Sequence, residues 1–531
     1  MTRVLVLTAC LMLTCAALHA ATPEAAYTPR PKDTLTYTKD IAPIMNQQCV
    51  SCHRPGEVAP FPLQTYKEVA KRDVQIAMVA ETRLMPPWKP VEGHGQFHDE
   101  RRLSADEIGM LQQWVDEGSK EGDPKDLPPA PKFTDGWHLG EPDLIVEMPE
   151  CYTVPAEGRD IYRCFVVPLN LKEERFVKAV EFRPGNRSVV HHAILYLDDS
   201  GWARKRDEMD PLPGYSSLGG PGVIPSGGLG GWTPGATPYP FPEGVSKSLK
   251  PSTDVVMQLH LHPTGKPETE RSKLGLYFAK EKPTRTMAAL TLVSRRLVIP
   301  AGEKAYLAAA RATVPVDVEA VGIIPHAHLL AKDIRATAFL PDGSQLPLLW
   351  IDDWDFNWQG SYRYRAPVKL PKGTEIEARF VFDNSAENRN NPSHPPKRVT
   401  WGEQTTDEMA LLWVQVLPVQ ESDAAALLRS PANKFLGAFA GGETTATGAK
   451  PGSGAVSFAD NVVKRFDANS DGKLDAGEEA KLVETFDKLV AKAGPRMKDF
   501  LKQYDNDGDG KLSDAERESI RKRVAQAASK P

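Results

Sequence analysis

The sequence predicts a multidomain chain. It has a helical domain over about 33–126, two antiparallel β-sandwiches over about 136–285 and 286–418, and a helical tail over about 458–528. Three observations predict this. At 531 residues the chain is too long for one hydrophobic core. From about 136 to 418, short alternating runs recur with turn signals and few helical patterns, among them "FVKAVEFRP", "VVMQLHLHP" and "IRATAFLPDGSQLPLLWI". On either side of that region, apolar residues recur at helical spacing.

Each part follows in order. Arg3, the apolar run Val4–Leu18 and the small-residue site "ALHAAT" read as a signal peptide over 1–20, cut near Ala20. The run is too short to cross a membrane and no later run is long enough, so stable membrane insertion is not expected. A lipoprotein signal at Cys10 is the weaker reading; a periplasmic or secreted location is the expectation. With 41% hydrophobic and 25% charged residues the composition is that of a globular protein, and the formal charge of −5 argues against nucleic acid as a partner.

In the helical domain the last helix starts at "LSADEI". Ser104 is the N-cap, Glu107 completes a capping box, and Leu103 with Ile108 forms a staple. Ile108, Leu111, Trp114 and Val115 line its apolar face, and Gly118 ends it. The proline-rich "DLPPAPKF" connects it to the β region, whose Gly/Pro-rich stretch Pro211–Gly244 is a long loop. A flexible linker over 437–457 precedes the tail.

Of the cysteines outside the leader, Cys151 and Cys164 bracket a hairpin-like stretch. In an oxidising compartment they are expected to pair as a disulfide. Cys49 and Cys52 belong to "CVSCH", with His53 adjacent. In an exported protein CxxCH is the attachment pattern of haem c: two thiols bond the haem edge, and the histidine becomes the proximal iron ligand. The helical domain is therefore read as cytochrome c-like, with a thioredoxin-type CxxC or half a zinc site as the competing readings. Met85 in "RLMPPWKP" is the preferred sixth ligand, because a thioether suits an electron-transfer haem. Met78, His94 and His98 compete.

The tail carries two twelve-residue calcium loops. "DANSDGKLDAGE" offers Asp467, Asn469, Asp471, the Lys473 carbonyl, Asp475 and Glu478; "DNDGDGKLSDAE" offers Asp505, Asp507, Asp509, the Lys511 carbonyl, Ser513 and Glu516. Hard oxygen donors in this order, with Gly472 and Gly510 at the turn, point to an EF-hand pair holding Ca²⁺. Two solvated acidic loops are the bland alternative.

Six of the 12 histidines fall in three short clusters within the β region: His191–His192, His260/His262 and His326/His328. Residues i and i+2 of a strand face the same side, so His326 and His328 can aim at one point. For a lone HxH, two separately hydrogen-bonded core histidines would be the commoner explanation. Near the end of the region "TTDEMALLWV" places Met409 at the start of an apolar run. Imidazole suits copper in both oxidation states and a thioether favours Cu(I).

The segments "FRPGNRSVVHHAILYLD", "GGWTPGATPYPFPEGV", "VMQLHLHP", "IIPHAHLLAKDI" and "EQTTDEMALLWVQV" occur in the order seen in the type II copper, ascorbate-dependent monooxygenases. The chain resembles that family, which includes the peptidylglycine α-hydroxylating and dopamine β-monooxygenases, over about Gly136 to Pro418. The resemblance implies two jelly-roll-like sandwiches with one copper each. His191, His192 and His260 would bind the electron-donating copper, and His326, His328 and Met409 the copper that activates O₂. His262 has no counterpart. The implied activity is C–H hydroxylation, R–H + O₂ + 2e⁻ + 2H⁺ → R–OH + H₂O, with ascorbate or another reductant and a small-molecule or peptide substrate.

Two departures bear on the substrate. Ile324 stands where the peptide-processing enzyme has a carboxylate-binding arginine, and Trp413 replaces its tyrosine. Both argue against a C-terminal glycine carboxylate. The aromatic and acidic run "DDWDFNWQ" (Asp352–Gln359) faces substrate or merely closes a sandwich edge. Adjacent His191 and His192 cannot converge on a regular strand, so a local irregularity is expected there. The fused haem motif motivates an internal electron donor that replaces or relays ascorbate, beside an external donor. A different class also fits: a periplasmic electron-transfer or copper-handling protein without hydroxylase activity. A third is a calcium-dependent scaffold with a degenerate catalytic half.

Overall fold

The computed structural model describes residues 27–431, apart from Gly56, Val58, Thr134, Asp135, Leu218, Gly219 and Glu403. The expected signal peptide, the linker, and the calcium ligands Asp467 to Glu478 and Asp505 to Glu516 lie outside the described residues. The described strands form six sheets, and their ladder pairings are antiparallel.

In the first β unit, a five-stranded sheet runs Tyr215–Ser216, Ile161–Pro168, Asp254–Leu261, Val190–Asp198, Gly227–Trp232. A four-stranded sheet runs Leu144–Glu147, Lys273–Ala279, Arg175–Arg183, Lys247–Leu249. Phe165, Leu195 and Met257 of the one share a core with Val177, Phe182 and Leu276 of the other. Every residue of Asp254–Leu261 is buried, because that strand is central in its sheet and covered on both faces.

The second β unit pairs two four-stranded sheets. One runs Ala288–Val293, Leu411–Pro418, Val318–His326, Tyr362–Leu370; the other runs Tyr306–Thr313, Glu375–Phe382, Ala331–Phe339, Gln345–Ile351. Leu290, Ile323 and Val414 of the first meet Ile334, Leu349, Phe380 and Phe382 of the second in one core. Alternation sets the faces: Tyr306–Thr313 buries Ala308, Ala310 and Ala312 and turns the residues between them outward. A two-stranded pair accompanies each unit.

The fold class expected from sequence is corrected here. The described chain is built mainly of strand. Its six α-helices span only 5 to 12 residues, and no large helical, cytochrome c-like domain is present among the described residues. Residues 33–126 contribute four of these helices: Ala42–Gln48, Tyr66–Ala70, Asp73–Glu81 and Ala105–Asp116. They gather a small core around Ile41, Met45, Leu111 and Trp114. The last has the predicted cap: Ser104 Oγ accepts from Glu107 N (3.2 Å), and Ser104 N donates to Glu107 Oε2 (2.8 Å). Between the helices, prolines at 55, 60, 62, 86, 87 and 90 deny the backbone helical hydrogen bonds. The stretch after Pro90 bridges to strands of the second β unit instead, Pro90 to Ile351 and Phe97 to Tyr364, and Phe97 joins that unit's core.

The expected Cys151–Cys164 disulfide is also corrected: both cysteines are free. Cys164 is sealed beside Val166, Ala203 and Tyr215, whereas Cys151 is exposed just before a strand of a different sheet. No helix among the described residues is long and apolar enough to cross a membrane.

Candidate metal centres

His191, His192 and His260 meet at one end of the five-stranded sheet. Val190 pairs with Leu261 and His192 with His260, so His191 is an extra residue in its strand. This bulge turns both neighbouring histidines toward His260, as a regular strand could not. The three Nδ1 atoms face each other: His191 to His192 at 3.2 Å and His260 to His192 at 3.4 Å. Donors about 2.0–2.1 Å from a small metal ion stand roughly 3.3–3.5 Å apart, so this spacing fits three imidazoles on one ion. One ligand atom from each lies within 4.8 Å of the others, a grouping that could hold a metal.

Electrostatics keeps the donors ready. Burial, reinforced by the neighbouring imidazoles, lowers His191 to about 3 and His192 well below the usual histidine range. Both rings are therefore neutral at physiological pH, with lone pairs free for a metal. Tyr162 stacks on the His260 ring at 4.3 Å.

Behind them stands Asp160, which sequence reasoning missed. Oδ1 lies 2.7 Å from His262 Nδ1, Oδ2 lies 3.0 Å from His260 Nε2 at a poor hydrogen-bond angle, and Thr405 Oγ1 donates to Oδ2 (2.7 Å). Burial opposes its charge, but these partners hold the carboxyl well below the usual range. His262 thus finds a place: it shares the carboxylate that backs His260. Its i+2 spacing from His260 was the available signal.

The second site lies where Val318–His326 runs against Leu411–Pro418, with His326 opposite Leu411. Past that last pair the backbone N–H groups of His328 and Met409 meet on one carboxylate oxygen of Glu408, and both residues are buried. The His326 and His328 rings stand 5.3 Å apart at 90°. His326 Nδ1 lies 2.5 Å from Gln359 Oε1, and His328 Nδ1 lies 3.1 Å from the Asp407 carbonyl. An acceptor on each Nδ1 fixes the tautomer and leaves Nε2 for a metal. Burial first lowers both rings, His326 to about 4 and His328 to about 3. Two imidazole nitrogens are donors that suit copper in either oxidation state, and a thioether supplied by Met409 would favour Cu(I).

Glu408 explains the "DEM" stretch. Its buried carboxyl accepts from His328 N (2.9 Å), Leu330 N (2.6 Å) and Met409 N (3.0 Å), tying the HxH loop to the methionine segment. Burial pushes it up to about 8 against these donors. Ile324 and Trp413 are register partners on the face that carries His326.

Cys49, Cys52 and His53 follow the helix Ala42–Gln48. Both thiols are free, and His53 Nδ1 bonds the Phe61 carbonyl (3.0 Å), which leaves Nε2 as the nitrogen available to an iron. Nε of Arg54 and of Arg101 and Gln48 Oε1 are buried without partners around this segment. These residues fit an attached haem. Met78 lies in the helix Asp73–Glu81, and Met85 is half-buried after it, its N–H on the Val79 carbonyl. His94 and His98 are drawn to the second β unit: the His94 ring meets Trp350 edge-on at 4.8 Å, and His98 N donates to Arg363 O.

No protein-family model matches this chain, and no curated protein does. Among solved structures, a two-domain protein of unknown function from Bacteroides fragilis NCTC 9343 aligns at 10% identity. It covers 48% of this chain and 85% of its own, with a TM-score of 0.14, too low to bear on the fold.

Proposed function

We propose that the chain is an exported copper-dependent monooxygenase that hydroxylates a C–H bond with O₂, taking electrons through a haem attached at Cys49, Cys52 and His53. The observation that carries this reading is the meeting of His191, His192 and His260, with His192 Nδ1 3.2 Å from that of His191 and 3.4 Å from that of His260. His191, His192 and His260 would hold one copper and His326, His328 and Met409 another; copper there supplies O₂ activation and one-electron cycling. The chain's own residues orient the donors. Asp160 backs His260, Gln359 and the Asp407 carbonyl fix the tautomers of His326 and His328, and Glu408 holds the Met409 backbone to the HxH loop. Met85 would supply a thioether to the haem iron, and the two tail loops would supply oxygen donors to Ca²⁺. The substrate is a small molecule or peptide that does not need a cation at position 324.

The test is haem, copper and calcium analysis of the exported protein, then O₂ uptake with a reductant and candidate substrates. Two coppers and one haem are expected, with one copper lost in His191→Ala and the other in His326→Ala. Copper absent from both sites, or reduced protein inert to O₂, overturns the proposal; two coppers without O₂ reactivity favours pure electron transfer or copper handling.

A further inference from the structure

The segment Asp352–Gln359 joins the strands Gln345–Ile351 and Tyr362–Leu370, yet its side chains reach three separate sites. Phe356 stacks on the His191 ring (4.9 Å, 17°) and meets His328 edge-on (5.9 Å, 86°), so one ring stands between the two histidine sites. Gln359 Oε1 is 2.5 Å from His326 Nδ1. Trp358 packs beside Gly235: a Cβ at Gly235 would lie 3.7 Å from Trp358 Cζ3 and 3.9 Å from Arg101 Nη1. Arg101 spans onward, with Nη2 on the Gly235 carbonyl (3.4 Å) and Nη1 3.7 Å from Cys52 Sγ.

The surroundings hold this geometry in place. Thr233 Oγ1 donates to the Gln359 carbonyl (3.4 Å), pinning the segment to the first β unit. Glu57, just past the CxxCH motif, pairs with Arg187 (2.8 Å), four residues before His191. A loop filling a seam would need only apolar bulk. This one instead sets an amide on a ligand histidine and an aromatic face against another.

We propose that Phe356, Trp358 and Gln359 are the connector that couples the Cys52 side of the CxxCH segment to both histidine sites. The proposal rests on the reading that these sites hold haem and copper. The balanced event is one electron: a ferrous haem iron becomes ferric and one cupric ion becomes cuprous, with no bond or proton exchanged. The order of contacts assigns a direction. Gln359 touches His326 directly, whereas the ring this segment lays against the triad is Phe356 on His191. The His326/His328 site therefore receives the electron first, the reverse of the donor-to-acceptor order that the family resemblance implies. Coupling carried by packed neighbours is tested by perturbing them, because contiguity alone does not establish it.

The experiment uses full-length, haem-bearing protein loaded with Cu(II) at both sites and given one electron equivalent of reductant per chain without O₂. Haem absorbance follows re-oxidation, and freeze-quenched EPR follows the two cupric signals. Trp358→Leu is expected to slow haem re-oxidation at least about fivefold with haem and copper content unchanged. Gln359→Leu is expected to shift the EPR signal of the His326/His328 site alone. Phe356→Leu should leave haem re-oxidation intact and slow equilibration between the two copper signals. Rates within about twofold of the parent in all three variants overturn the connector, as does loss of the triad's signal first. Protein that takes up no haem or no copper removes the parent reading and the connector together; the same sample's metal analysis tells that failure from the other.

Discussion

At the scale of single residues, Asp160 makes the sharpest prediction. It touches no metal position itself, yet it backs His260, binds His262 and takes a hydrogen bond from Thr405 of the other β unit. Outer partners of metal-binding histidines are typically worth about 10–100-fold in affinity. Asp160→Asn should weaken copper at the first site by that order, read by competition with a chelator, and leave the second site's affinity unchanged. An unaltered first site would make Asp160 a bystander. Glu408 predicts the mirror result. Glu408→Ala strips the acceptor from the N–H groups of His328, Leu330 and Met409, each costing about 1–3 kcal/mol when left buried and unpaired. The second site should lose copper and the melting temperature should fall, with the first site still loaded. These residues also mark where sequence reading stops. The histidines were legible because they cluster within a few positions of one another. Asp160, Phe356 and Gln359 are ordinary residue types brought from distant segments, and only the fold reveals what they face.

At the scale of elements, local chemistry was read well where the cause is local. The cap of Ala105–Asp116 depends on Ser104 and Glu107 alone, and it forms as the spacing requires. Ser104→Ala should cost about 1 kcal/mol, measurable in denaturant titration. The bulge at His191 was foreseeable from the need to aim two neighbours one way. The free Cys151 and Cys164 were not, because sequence does not say that their strands belong to different sheets. The strand Arg175–Arg183 adds a pH dependence. Burial opposes the charge of Glu181, but donors from His138, Leu139 and Arg183 hold its carboxyl at about 2. A depressed carboxyl favours the folded state fully above its unfolded value near 4.5, and the contribution fades as pH falls toward 2. Acid unfolding followed from pH 5 to 2 should therefore be shallower in Glu181→Gln, relative to its own stability at pH 5, than in the parent. Parallel curves would remove Glu181 from the account.

At the scale of the whole molecule, the N-terminal segment is wired into a core formed more than two hundred residues later in the chain. Phe97 is 2% exposed. It stacks on Tyr364 at 5.2 Å and meets Tyr362 at 5.4 Å and Trp88 at 6.4 Å. Backbone contacts follow the ring: Arg365 N donates to Gln96 O, His98 N to Arg363 O, and Arg365 Nε to Phe97 O. This docking is why a separate helical domain was the wrong expectation: the stretch after Pro90 joins the second β unit's core. It also brings Arg101 to Cys52 on one side and Gly235 on the other, so the seam and the proposed connector share one anchor. Phe97→Ala should cost about 3–5 kcal/mol, because the cavity lies among rings that cannot collapse together. The loss has a location. Hydrogen exchange should rise in Gln345–Ile351 and Tyr362–Leu370, whose residues receive the segment, while Asp254–Leu261 in the first β unit keeps its protection. If protection fell equally in both units, the molecule would unfold as one block and the anchor would carry no separate weight. If it changed in neither, Phe97 would only fill space at the surface of a core complete without it.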